Sequence, residues 1–207
     1  METMGPIVYV VDDDQGILTS LEWLLSSVQL ECACFSDGAE FLDAFDNNRP
    51  SCIVLDVRMP AMSGFDVLDQ IVDRRLTAPV IFVTANGNIP MAVKAMQQGC
   101  FNFIEKPYDP QKMLDLVFKA LRIATSELEQ TRDSHMFEAR FDLLSNREKE
   151  ILREVVKGKR SKVIAYEFGI SCKTVDAHRS SIREKFQSTS LTSLVKEVLN
   201  FKPEWRH

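Results

Sequence analysis

Glycine and proline are scarce in this chain, eight of each in 207 residues. None of either falls between Gln111 and Lys157. That gap excludes a floppy Gly/Ser tether in the middle of the molecule. Long apolar runs are also missing: nothing approaches the roughly 18 residues of a membrane span, so no membrane partner is expected. No basic segment precedes the first apolar run, so a secretory leader is not expected. Cysteine is limited to an odd five, with no second Cys/His pair to build a metal or redox motif. Cys32, Cys34, Cys52, Cys100 and Cys172 lie in apolar or regular segments and read as buried, reduced thiols of a cytoplasmic protein. Repeats and low-complexity tracts are lacking as well. What remains is an ordinary globular composition, 45% hydrophobic, in a length that suits one large domain or two small ones.

Charge separates the two. The net charge is −5 overall, but residues 1–122 carry 17 acidic against 9 basic side chains, and residues 142–207 carry 9 against 14. An acidic domain joined to a basic one suggests that the second meets a polyanion.

The first part is organised around Ile53-Val54-Leu55-Asp56. A short continuous apolar run reads as a strand buried on both faces. Similar runs occur at residues 7–11, 32–35, 79–83 and 101–104, each separated by a segment of helical periodicity such as Ile17, Leu18, Leu21, Leu24, Leu25 and Val28. Five alternations predict an α/β fold: an open, doubly wound parallel sheet with helices on both faces. In such folds functional residues gather at the carboxyl ends of the strands. The residues there are Asp12 and Asp13, Asp56, Thr84 and Lys106. A lone Asp56 would read as a turn residue or helix cap. The Asp12-Asp13-Asp14 run has its own alternative, a solvated acidic loop in which one Asp caps the next helix.

Together these groups suggest phosphoryl chemistry. Asp13 and Asp56 offer oxygen ligands suited to Mg²⁺, with Asp12 acting nearby through water. Asp56 is then an ionised nucleophile that needs no general base. Lys106 and Thr84 are donors of the right kind for a transferring phosphoryl group.

These stretches resemble the receiver domain of a two-component response regulator. The resemblance rests on Val11-Asp12-Asp13, Leu55-Asp56-Val57-Arg58-Met59-Pro60 with Ser63-Gly64, Val83-Thr84-Ala85, and Gly99 to Lys106-Pro107, within residues 7–122. It implies a flavodoxin-like strand order 2-1-3-4-5 and Asp56 as acceptor of phosphate from a sensor histidine kinase. It also implies the carbonyl of Arg58 as a further Mg²⁺ ligand, a cis Lys106-Pro107 bond, and Phe103 in the aromatic switch position. Family members dimerise on phosphorylation through the fourth helix and fifth strand, here Met91, Val93, Met96 and residues near Phe103.

The helix starting after Asp109-Pro110 is expected to run past Leu128 and to break between Ser134 and Asp142. Residues 123–141 are accordingly read as a helical linker, between a receiver domain at 1–122 and a second domain at 142–207. That second domain opens on a capping box, Ser145 with Glu148. Helices are expected at 162–168 and 173–186 around Gly169-Ile170-Ser171, which is helix-turn-helix spacing, and a fourth, one-sided helix follows from Leu191. Leu144-Ser145-x-Arg147-Glu148, Lys162-x-Ile164-Ala165, Thr174-Val175-x-x-His178 and Ile182-x-x-Lys185 resemble the all-α, four-helix DNA-binding domain of the LuxR/FixJ class. Ser161 departs from the usual Asn, and Phe186 from the usual Leu or Met.

With Val175, Ile182 and Phe186 packed inward, Asp176, Ala177, Ser180 and Ser181 are expected on the face that enters a groove. Lys162, Ser171, Lys173, Thr174, His178 and Lys185 are expected at phosphates. The whole reads as a cytoplasmic transcription regulator of the FixJ type. Its expected partners are a histidine kinase, an inverted repeat in promoter DNA, RNA polymerase, and a second copy of itself; activation is the expected direction of control. A Mg²⁺-dependent phosphatase of the haloacid dehalogenase type is the enzyme alternative, but it needs an acid two residues after the nucleophile, where Arg58 stands. A constitutive DNA-binding protein with a silent receiver is the other, and the complete acidic, Thr and Lys set argues against it.

Overall fold

The structure, a computed structural model, describes residues 5–206. The chain divides into two compact units, one up to Glu129 and one from Gln130.

The first unit alternates β1 (Ile7–Val11), α1 (Gln15–Ser26), β2 (Glu31–Phe35), α2 (Gly38–Ala44), β3 (Ser51–Asp56), α3 (Gly64–Asp73), β4 (Val80–Thr84), α4 (Ile89–Gln97), β5 (Asn102–Glu105) and the start of α5 (Pro110–Asp142). The sheet is entirely parallel with the order β2-β1-β3-β4-β5. Alternate side chains of each strand point to opposite faces. Tyr9, Val11, Ile53, Leu55 and Phe82 meet α2, α3 and α4, while Val8, Val10, Val54, Ile81 and Ile104 meet α1 and α5. Both faces are therefore covered, which is why these strands are apolar without interruption.

Residues 123–141, expected as a helical linker continuing the last receiver helix, do continue it. The 33-residue α5 continues unbroken to Asp142. Its last turns belong to the second unit, where Phe137 is fully buried and stacks on Phe201, ring centroids 4.6 Å apart. The second unit continues with α6 (Asn146–Val156), α7 (Ser161–Phe168), α8 (Cys172–Lys185) and α9 (Leu191–Phe201). A final 3₁₀ turn, Pro203–Arg206, tucks Trp205 against the ring of Phe141. Ser145 and Glu148 form the capping box of α6. Gly169 closes α7 at φ 62°, a left-handed conformation that glycine adopts without strain.

The cysteines correct one expectation. All five are free, and Cys52 and Cys100 are buried, but Cys32 and Cys34 are only half-buried and Cys172 is exposed. The last sits at the first position of α8, outside any apolar stripe.

Candidate functional site: a strand-edge carboxylate cluster and a basic helix face

Strand register assembles the first site. Val11 pairs with Leu55, so Asp12 follows β1 beside Asp56 at the end of β3. Asp56 pairs with Val83, which places Thr84 one step further on β4, and Thr84 pairs with Glu105, which places Lys106 just past β5. Gly64 lets α3 start close beneath this edge: a Cβ there would lie 2.3 Å from the Asp56 carbonyl oxygen. Any side chain would push the backbone of Asp56 itself.

Lys106 Nζ donates to Asp12 Oδ2 at 2.6 Å and to Asp56 Oδ1 at 2.7 Å. The other Asp56 oxygen accepts the Arg58 backbone N–H at 2.6 Å. Asp12, Asp56 and Thr84 are buried, whereas Asp13 is exposed. Burial raises the Asp12 carboxyl, and the hydrogen bond from Lys106 offsets this only in part. Burial alone would lower the ammonium of Lys106, but its bonds to Asp12 and Asp56 hold it above the ordinary lysine value. It remains a cation throughout the neutral range.

The acidic run splits its duties. Asp14 caps α1, accepting from the N–H groups of Gly16 and Ile17, while Asp12 turns into the cluster. The capping reading thus holds for Asp14, and Asp12 pairs with Lys106. Thr84 accepts the N–H of Asn86 at 3.4 Å, and its carbonyl accepts the N–H of Lys106 at 2.8 Å. Phe103 is half-buried against the sheet core, with Cε1 3.1 Å from where a Cβ on Gly87 would stand. The Lys106-Pro107 bond is cis. Beside Lys106 opens a groove of about 630 Å³, lined by Ile17, Ser20, Leu24, Pro107 and Tyr108.

One ammonium here faces two buried carboxylates, with an exposed third carboxylate next in sequence. The residual negative charge and the all-oxygen donor set suit a hard divalent cation. Among the described residues no three acidic, His or Cys side chains converge on a point.

The second site is α8 of the helix-turn-helix. Val175, Ile182 and Phe186 are buried. Lys162, Ser171, Lys173, Thr174, Asp176, Ala177 and Ser180 are exposed and His178 is half-buried. Ser171 caps α8 by accepting the Thr174 N–H at 3.0 Å, and the two hydroxyls pair at 2.8 Å.

Three expectations need amending. Ser181 does not face a groove: its hydroxyl donates to Glu148 at 2.7 Å. Lys185 is already paired in this structure: its ammonium donates to the buried Glu148 at 2.7 Å. Asp176 is exposed, but one of its oxygens already accepts from Ser161. Arg179, which sequence reasoning passed over, lies on the same helix and donates to that same hydroxyl.

Comparison with known proteins agrees with this two-part chemistry. Residues 8–118 match the response regulator receiver domain, and residues 142–198 match the bacterial regulatory proteins of the luxR family. The chain belongs to the two-component response regulators that carry a LuxR-type DNA-binding domain, a class of transcription regulators and not of enzymes. Among its relatives is the response regulator protein TmoT of Ectopseudomonas mendocina, 36% identical over 98% of this chain and 92% of that one. The transcriptional regulatory protein FixJ of Bradyrhizobium diazoefficiens is 34% identical over 95% of each. Among solved structures, the response regulator StyR superposes with a TM-score of 0.87 at 35% identity, covering 95% of this chain and all of that one. That identity marks StyR as a relative. No helix among the described residues is long and apolar enough to cross a membrane.

Proposed function

We propose that the chain accepts a phosphoryl group on Asp56 from a sensor histidine kinase, dimerises in response, and binds an inverted repeat in promoter DNA through α8. The observation that carries this reading is the contact of Lys106 with both Asp12 and Asp56 at the carboxyl edge of the sheet. An exposed loop carboxylate would not be mounted in this way.

Asp13 and Asp56, with the Arg58 carbonyl and with Asp12 through water, would hold Mg²⁺, whose charge would offset the carboxylates and the incoming phosphoryl oxygens. The rest falls to the chain. A carboxylate oxygen of Asp56 forms the new P–O bond as the P–N bond of the donor histidine breaks, and the imidazole leaves with the electron pair. Lys106 is already charged and aimed at Asp56, so it can pair with the phosphoryl oxygens without taking up a proton. Thr84 offers a hydroxyl from the next strand, and Phe103, which has no hydroxyl of its own, would carry a shift of Thr84 toward the phosphoryl group to the α4 and β5 face.

On α8, Asp176, Ala177 and Ser180 present the face that meets base edges. Lys162, Ser171, Lys173, Thr174 and His178 flank it toward phosphates, joined by Lys185 when its ammonium reaches past Glu148. The reading places the protein in the cytoplasm, acting with RNA polymerase, as an activator. It is tested by labelling with acetyl phosphate and Mg²⁺, followed by DNA binding with and without the phosphodonor. A chain that binds its operator equally in both states would refute phosphorylation control.

A further inference from the structure

Ser161, the first residue of α7, stands between two charged side chains of α8. Its Oγ accepts from Arg179 Nη1 at 2.5 Å and donates to Asp176 Oδ1 at 2.7 Å. A hydroxyl has one proton and two lone pairs, so it can do both at once. Asp176 and Arg179 are neighbours three residues apart on α8, Asp176 exposed and Arg179 half-buried at the edge of the inward stripe that holds Val175 and Ile182. Among the described residues they form no ion pair with each other, so the hydroxyl is their connection.

We propose that Arg179 is a specificity-determining residue that reads a base edge, and that Ser161 and Asp176 are positioning residues that hold its guanidinium. This rests on the reading that α8 lies in the major groove. A free arginine side chain loses considerable rotamer freedom on binding, whereas one already clamped loses less. Ser161 takes a proton of Nη1, which leaves the Nε and Nη2 edge for a pair of acceptors. The guanine O6 and N7 atoms are such a pair. Asp176 also bears on the choice of target. An exposed carboxylate one hydroxyl away repels a phosphate but tolerates the neutral edge of a base. Oδ1 of Asp176 accepts from Ser161, so Asp176 acts on the target through Arg179 as well as from its own exposed position.

The experiment is a binding-site selection with the full phosphorylated chain, paired with salt titrations on the winning sequence. Arg179→Ala should relax the preference at one base pair per half-site, with discrimination there falling roughly tenfold or more. Arg179→Lys keeps the charge but lacks the fork, and should relax the same position while leaving the salt slope intact. Ser161→Ala should blur that position partially, and Ser161→Thr should restore it. Thermal unfolding of each variant separates these effects from misfolding. If Arg179→Ala and Arg179→Lys leave the selected sequence unchanged, and Arg179→Ala weakens all sequences alike with a salt slope lower by about one unit, Arg179 is a phosphate contact and the proposal is wrong. Lys173→Ala is the control for the underlying reading. If it too leaves binding to every sequence untouched, α8 is not in the groove, and the fault lies with that reading.

Discussion

Lys185 Nζ lies 2.7 Å from Oε2 of Glu148, a carboxylate buried against α8. Glu148 also accepts from the Ser181 hydroxyl and, through the capping box, from the Ser145 N–H. The first turn of α6 and the last turns of α8 are thus fastened at one oxygen pair. This joint bears on stability before it bears on DNA.

Burial would raise the Glu148 carboxyl, but the bonds from Lys185, Ser145 and Ser181 outweigh it and hold the group at about 2. In the unfolded chain a glutamate titrates near ~4.3. A folded value below the unfolded one adds stability that is complete above the unfolded value and is lost as pH falls through the window between them. Two units correspond to about 3 kcal/mol. Glu148→Gln should therefore lower the stability of the second unit at pH 7 by an amount of that order. It should also flatten the decline between about pH 4.5 and 2. Denaturant unfolding at several pH values reads both, and a variant that tracks the wild type throughout would refute the joint.

Phosphorylation should be single and confined to Asp56. Asp56→Asn should abolish labelling by acetyl phosphate, as read by intact-protein mass spectrometry and peptide mapping. Lys106→Ala removes the cation that faces Asp12 and Asp56 but none of the oxygen donors. It should retain Mg²⁺ binding, monitored by calorimetry, and lose the DNA-binding response. Label found on another residue would overturn the site.

Phe137 tests how the long helix is held. Isolated helices are marginal, so its late turns need packing. Phe137 is fully buried among Phe141, Phe186 and Phe201. Phe137→Ala should cost the second unit about 3–5 kcal/mol, and amide protons of residues 123–130 should exchange slowly in the intact chain. Fast, coil-like exchange there would count against a continuous helix.

The strand-edge cluster was legible in the sequence because buried parallel strands announce themselves as unbroken apolar runs. Their ends then name Asp12, Asp56, Thr84 and Lys106 without any knowledge of contacts. The second unit was less legible for a physical reason. A capping box is a local signal, so Glu148 read as a helix start, and nothing nearby indicates that Ser181 and Lys185 reach it from α8. Ser161, Asp176 and Arg179 meet only because α7 packs on α8. The end of α5 lacked a glycine or proline to mark where one unit stops. The i, i+4 pair Phe137 and Phe141 was the available sign of a core-facing stripe.

Dimerisation should follow phosphorylation. Val93 and Met96 are exposed on α4, at 48% and 54%, and Met91 beside them is half-buried on the core. Their apolar surface is available to a second copy. A population shift needs only differential affinity of a few kcal/mol between the two states. Sedimentation should show a monomer that moves toward dimer with phosphodonor. Met96→Asp should block the shift while leaving Asp56 labelling intact. Identical sedimentation with and without phosphodonor would remove this face from the mechanism.

Lys173 and Lys185 should fail in different ways on DNA. Lys173 is exposed on the first turn of α8 with no ion pair among the described residues, so its loss costs contact with phosphate and little else. Lys173→Ala should weaken binding to all sequences alike and reduce the slope of log affinity against log salt by about one unit, with an unchanged melting temperature. Lys185→Ala leaves the buried Glu148 carboxylate without its cation, which is costly in the folded state. It should lower the melting temperature as well as the affinity. The double variant Glu148→Gln with Lys185→Ala removes the stranded charge and should recover part of the stability, while the salt slope stays low if Lys185 reaches phosphate in the complex. If the slope of the double variant returns to the wild-type value, Lys185 contributes only through the fold.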